Sequence, residues 1–395
     1  SCKHCVMSAL TLLEFRRRFP LLQQRTYLNN CSKGALSTDV EAAIHSFVES
    51  WHAYGSPWER WLDQMEQLRS TFARSIGADS DEVAILPSAS VGISALASAM
   101  SYKDPRNHVA IGEFEFPTMT QIWLAQQSRG ATIEWVRAHG NELPLESYAT
   151  TINARTLIVP TTDVCYKNGH RTDIAGLVAL CQDRGALILL DDYQRTGTGP
   201  IDVHALGVDF MVTGCQKYLL GPPGLAFLYV RRDLLPEFKP TLTGWFGRAN
   251  PFDFDIQTVT WSSSARRFEA GTPPILDIYA AQAGLDLLEA VGYAAIEEQI
   301  ATLTKRFTAW ARQEGFAVAT PPTTRKHSPL VVLRSTDAPL LVSRLAARGV
   351  IVSSRDNGLR VSFHGYNVEE DILAVIEALE TEVSLLEREE ANVKN

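Results

Sequence analysis

The stretch "LLDDYQRTGTGPIDVHALGVDFMVTGCQKYLLGPPGLAFLYVR", residues 189–231, opens on the end of one apolar run and holds another, and each leads to a charged group. The run "ALILL" stops at Asp191, and the run "DFMVTG" leads to Lys217, 26 residues beyond that acid. An ammonium at the end of a buried strand costs on the order of several kcal/mol to desolvate unless it is paired or chemically used. Ligands of open α/β sheets gather at the carboxyl ends of the strands, so an acid and an amine on neighbouring strand ends would face one site. That pair suits pyridoxal phosphate: the lysine forms a Schiff base, and the acid keeps the ring nitrogen protonated so that the ring draws electrons.

Outward from this stretch the same grammar repeats. From residue 83 the runs "VAIL", "HVAIG", "TIEWV", "TLIVP", "ALILL", "DFMVTG" and "LAFLYV" alternate with helical segments. Nearly continuous apolar runs belong to a mainly parallel sheet covered on both faces, so an α/β domain with a seven-stranded sheet is expected. After about residue 275 long helices precede the runs "LVVLR", "VIVSS" and "LRVSF", which predicts a smaller C-terminal α+β domain. The divisions expected are an N-terminal segment over 1–25, a large cofactor domain over 26–275 and a small domain over 276–395. Helices at the start of the large domain have the option of packing on the small one. Trp58, Trp61, Leu62, Met65, Leu68 and Phe72 form one apolar helical stripe, read as core or subunit contact.

Composition narrows the function. A chain of 395 residues with 45% hydrophobic content can build a large core. A formal charge of −8 without a long basic block argues against nucleic acid or an anionic membrane as partner. No apolar run approaches the roughly 20 residues of a membrane span, and no signal-peptide pattern opens the chain, so a cytoplasmic enzyme is expected. The scattered Cys31, Cys165, Cys181 and Cys215 form no disulfide framework. Cys2, His4 and Cys5 are too few to hold a structural zinc and read as a chain end; no metal is expected. In "LPSASVGISALASAM" a strand runs into a helix, placing Ser88, Ala89 and Ser90 where helix N–H groups could bind phosphate.

From "YLNNCSKGALS" to "LRVSFHGYNVEED" the chain resembles the class V aminotransferase-fold enzymes, the fold-type I pyridoxal phosphate family that includes cysteine desulfurases, isopenicillin-epimerase-like proteins and kynureninases. The resemblance implies that Lys217 bonds the cofactor, Asp191 partners its ring nitrogen and Gln194 donates to its phenolic oxygen. It places Ala89 and Ser90 at the phosphate and the ring of Phe116, in "EFEFPT", over the cofactor. It assigns Asn30 and Arg360 to the amino-acid substrate, Arg360 to its carboxylate. Through "RRFEAGTPP" it implies that Gly271 and Thr272 cross to the cofactor's phosphate in a second subunit, hence a homodimer with shared active sites.

Departures shape the functional expectation. Gln216 stands where relatives often carry His, and Tyr193 where they often carry a small residue. No cysteine follows Cys215, so persulfide-forming desulfurase activity is not expected. Cys31 and Cys215 read as packing residues, while Tyr166, Trp245 and Trp261 could line a pocket or fill the core. "TGWFG" and "CYKNGHRTD" look like the kynureninase and epimerase-like side. The expectation is a β-lyase of a β-substituted amino acid, with transaminase and then epimerase as alternatives, and a cofactor-binding scaffold as the non-enzymatic one.

Overall fold

The computed structural model describes residues 9–103, 105–322 and 327–389; Cys2, His4 and Cys5 lie outside them. The chain enters through α1 (Leu12–Arg17), β1 (Thr26–Tyr27), α2 (Thr38–Tyr54) and α3 (Trp58–Ser75). There follow β2 (Val83–Leu86), α4 (Ala89–Ala99), β3 (His108–Gly112), α5 (Pro117–Ala125), β4 (Thr132–Val136) and α6 (Leu145–Thr151). Next come β5 (Thr156–Thr162), α7 (Ile174–Arg184), β6 (Leu187–Asp191), α8 (Val203–Leu206), β7 (Phe210–Gly214) and β8 (Ala226–Val230). The remainder is α9 (Ile275–Val291), α10 (Tyr293–Gln313), β9 (Leu330–Arg334), α11 (Ala338–Ala347), β10 (Val350–Ile351), β11 (Ser353–Arg355), β12 (Gly358–Ser362) and α12 (Glu369–Glu380).

Seven strands form one sheet in the order β2-β8-β7-β6-β5-β3-β4. Only β8 runs against its neighbours, so the sheet is mainly parallel, as the apolar runs predict. Alternation along the strands explains why those runs are apolar throughout. Ile188, Leu190, Met211 and Phe227 enter the core on one face, and Leu189, Phe210, Val212 and Leu228 enter the core on the other.

The stripe on α3 is buried through Trp61, Met65, Leu68 and Phe72, and the Phe72 ring stacks on Phe227 of β8 at 3.8 Å. Ile275, Ile278 and Leu285 of α9 share this core, which α2 and α3 enter by packing on α9. These N-terminal helices therefore use their apolar faces against the large sheet's helical layer. It is β1 that joins the C-terminal part, pairing in parallel with β10 through Thr26 and Val350. The antiparallel sheet β11-β12-β9 has its own core around Phe307, Val331, Leu341 and Val361.

Two buried polar groups tie these parts together. Arg69, on the apolar stripe of α3, pairs with Glu269 and Glu66 and donates to the Val83 carbonyl at 2.8 Å. Glu269 in turn accepts from Ile85 N at 2.9 Å, anchoring β2 to the loop that leads to Gly271. After β12, His364 accepts from Gly365 N through Nδ1 at 2.7 Å and donates through Nε2 to the Tyr218 carbonyl at 2.9 Å. The segment after β12 thereby holds the turn that carries Lys217.

Burial keeps His364 neutral and lowers its pKa from 6.5 to about 4. As pH falls through that window the unfolded chain takes up the proton first, so this contribution, present above pH 6.5, is lost by about pH 4. Its size is about 3 kcal/mol. We expect His364→Gln to lower Tm at neutral pH and to flatten its fall between pH 6.5 and 4. Parallel melting curves for the two proteins across that range would contradict this account.

Candidate active site

The carboxyl ends of β5 and β6, the turns after β2 and β7, and the β11–β12 hairpin enclose a cavity of about 320 Å³. Each wall has a local cause. Ser88 caps α4 by accepting from Val91 N at 3.1 Å, leaving the first-turn N–H groups at Ala89 and Ser90 without intrahelical partners. Thr162 at the end of β5 donates to the Asp191 carbonyl at 3.1 Å and fixes the end of β6. Beyond β7, Leu220 adopts a left-handed φ of 60° and donates its N–H to the Lys217 carbonyl at 3.2 Å. Gly34 lies so close to this turn that a Cβ would stand 2.4 Å from that carbonyl.

Lys217 sits deep in the protein but opens on the cavity, and desolvation lowers its pKa to about 8 against the upward pull of Cys31 and Asp191. Its Nζ lies 4.5 Å from the ring centre of Tyr193 and 5.9 Å from that of Phe116. Phe116 meets Tyr166 edge-on at 5.0 Å. Asp191 accepts from Tyr193 N at 3.1 Å; burial raises its pKa, and that N–H and Lys217 lower it. Behind it, Glu115 accepts from Thr162 N at 2.9 Å. Burial, followed by the charge of Asp191, raises the Glu115 pKa well above the ordinary range, which favours Asp191 as the anion.

Arg360 is buried, donating Nη1–H to the Tyr166 carbonyl at 3.0 Å and Nη2–H to Ser353 Oγ at 2.9 Å. Its Nε has no partner. Gln194 donates Nε2–H to the Cys31 carbonyl at 2.9 Å, while its Oε1 is buried and unpartnered. These two orphaned groups lie on the wall of the same cavity. With an anion-receiving helix start, an acid, an amine and a stacking ring, the cavity fits the phosphate, pyridine nitrogen, aldehyde and ring of pyridoxal phosphate. The resident Gln194 hydrogen bond uses one of the two Nε2–H donors, which leaves the other for the cofactor's phenolic oxygen.

The next residue faces the other way. Asp192 lines a separate groove with Asp163, Arg171 and Arg195 and accepts from Thr196 Oγ1 at 2.8 Å. Burial and the charge of Asp163 raise its pKa to about 7. From this groove Arg195 reaches Glu297 of α10 at 3.2 Å and Arg171 reaches the His327 carbonyl at 3.2 Å.

Ser88, Ala89, Ser90, Phe116, Asp191, Gln194, Lys217 and Arg360 thus converge. Asn30 does not line the cavity: its Nδ2 donates to the Ser362 carbonyl at 2.8 Å and its Oδ1 accepts from Tyr366, so its polar atoms hold the end of β12. Gly271 and Thr272 are exposed outside it. Of the aromatic residues left open by sequence, Tyr166 lines the cavity, whereas Trp261 donates to the Pro240 carbonyl and Trp245 joins a surface ring cluster with Phe246, Phe252 and Phe254. Sequence reasoning missed Thr118, Thr162 and Arg355 as lining residues. Arg355 alone had a legible signal, lying in the same hairpin as Arg360, across the turn "DNG".

Gly214 and Tyr193 are interlocked, since a Cβ at 214 would lie 1.9 Å from the tyrosine hydroxyl. Gly214→Ala should cost about 1–3 kcal/mol of stability, and much less in a Tyr193→Ala background. Additive losses in denaturant titrations would refute the interlock. For Lys217, amine-reactive labelling of the cofactor-free protein should rise with a midpoint near pH 8. Asp191→Asn should move that midpoint down, because the acid stabilises the ammonium; an upward move would show that the coupling is misread.

The family model described as "Aminotransferase class-V" matches residues 32–375. The chain is 34% identical over 366 residues to the uncharacterized aminotransferase YcbU of Bacillus subtilis, covering 93% of this chain and 96% of that one. It is 28% identical over 351 residues to a kynureninase of Deinococcus radiodurans, covering 85% and 84% of the two chains. In fold it is similar to a cysteine desulfurase of Thermococcus onnurineus, with a TM-score of 0.85 at 22% identity over 96% of this chain and 100% of that one.

Proposed function

The chain belongs to the class V aminotransferase family of pyridoxal-phosphate-dependent enzymes, and from that premise we propose that it is an amino-acid β-lyase with Lys217 as its base. The observation that carries the reading is Lys217 itself: an amine lowered to about pH 8, held between two rings beside Asp191 and opening on a cavity that also holds Arg360. The family resemblance to kynureninases over most of the chain supports cleavage at Cβ.

Ser88, Ala89 and Ser90 would receive the cofactor's phosphate, Asp191 its ring nitrogen and Phe116 its face. Bound, the cofactor supplies an electron sink for negative charge at the substrate's Cα. The chain's own residues supply the rest. Arg360 retains N–H groups beyond the two it spends on Tyr166 and Ser353 and orients the substrate by its carboxylate. Lys217, partly neutral at physiological pH, takes the Cα proton at Nζ. Asp191 and the rings of Phe116 and Tyr193 stabilise the ammonium so formed. Phe116 and Tyr166 limit water at the mouth. A substituent on Cβ then leaves with its bonding electrons.

Transamination is the second reading, favoured by the 34% identical relative named as an aminotransferase. The two differ in a simple way: a lyase turns over repeatedly without a keto-acid acceptor, whereas a transaminase stops after one equivalent. We expect continued release of keto acid or alanine from a panel of β-substituted amino acids with no acceptor added. Lys217→Ala should lower that rate by about 10²–10⁴-fold. A single stoichiometric burst that resumes only on adding a keto acid would replace the lyase with the transaminase.

A further inference from the structure

Three cations line the cavity, Lys217, Arg355 and Arg360, while the cofactor's phosphate falls to the Ser88–Ser90 helix start and its ring nitrogen to Asp191. Arg360 is accounted for by a substrate carboxylate and Lys217 by its exchange of a proton. Arg355 is left. It makes no ion pair among the described residues, and its guanidinium donates only to the adjacent Ser354 carbonyl at 3.0 Å. The neighbouring acid Asp356 is engaged by Lys167 at 3.4 Å.

The hairpin places the two arginines for a joint task. In the β11–β12 register Ser353 faces Arg360 and Arg355 faces Gly358, so both cations stand on one short ribbon at the mouth. Arg360 is deep and nearly inaccessible, Arg355 outer and exposed. At about 320 Å³ the cavity is at the lower end of small-molecule sites, which run to roughly 1,000 Å³. The cofactor would take up part of that volume, which favours a short substrate side chain.

We propose that Arg355 binds a second carboxylate, so that the substrate is a short amino dicarboxylic acid held by Arg360 at one end and Arg355 at the other. The inference rests on the amino-acid reading above and adds the chemistry of the side chain. A planar guanidinium with free donors suits a carboxylate in a way that a lysine would not. The exposed position makes the contact sensitive to salt.

Binding rather than turnover tests it. The holoenzyme is titrated calorimetrically with 2-methylaspartate and with 2-aminoisobutyrate, which share an α-methyl block and have no Cα proton to lose. The acidic analogue should bind roughly tenfold tighter, by a margin that shrinks at high salt. Arg355→Gln should bring the two affinities within about twofold, and Arg355→Lys should retain part of the difference. A melting curve verifies that each variant is folded, as expected for a side chain whose one hydrogen bond is to its neighbour's carbonyl. Equal affinities in the wild type, or a preference that survives in folded Arg355→Gln, would overturn the proposal alone. Failure of both analogues to bind would overturn the amino-acid reading and this one with it.

Discussion

Holding the Lys217 amine in the protein interior without a carboxylate in contact is the constraint around which the site is built. Desolvation pulls its pKa down to about 8, and the compensation comes from diffuse sources: Cys31, the field of Asp191 and the faces of Tyr193 and Phe116. An intimate ion pair would have stabilised the charge and silenced the base. The weaker arrangement keeps the amine near the midpoint of its titration. The surrounding backbone follows from this need. The left-handed Leu220, the close approach of Gly34 and the His364 bond to Tyr218 all fix the turn on which the lysine stands.

The cavity is assembled from parts with different rigidity and different duties. Strand ends and helix starts of the large sheet supply the face that matches the cofactor, and their positions are set by a core buried on both sides. The β11–β12 hairpin supplies the two arginines that line the cavity. Cofactor chemistry would thus belong to the family scaffold, and on the proposed reading substrate choice belongs to a short ribbon apart from it. Fold alone does not select among the reactions such a scaffold supports.

Much of this was legible in the chain because strand ends carry their chemistry adjacent to strong apolar runs. Asp191, Lys217 and the Ser88–Ser90 helix start could be read from pattern and spacing. Gln194, Phe116 and Arg360 were found through the family resemblance. Asn30 was misplaced because a polar residue inside a matching motif looks the same whether it faces ligand or holds a neighbouring strand. Its partners, Ser362 and Tyr366, are more than 300 positions away along the chain. Arg355 and Glu115 were missed because their importance depends on which charges they lack or confront in space. The α9 helix, placed by sequence at the head of the small domain, packs with α2 and α3 because its apolar residues complete their core.

The adjacent acids at 191 and 192 carry a final consequence for how such a site withstands mutation. They are chemically identical neighbours, yet one lines the cavity and the other lines the groove behind it. Where a strand ends, successive side chains still turn to opposite faces, so adjacency in the chain does not put these two acids in one site. Neither acid can stand in for the other, and the doubled codon offers no backup. Genetic robustness would have to come from the second neighbour along, which here is a tyrosine already committed to the lysine.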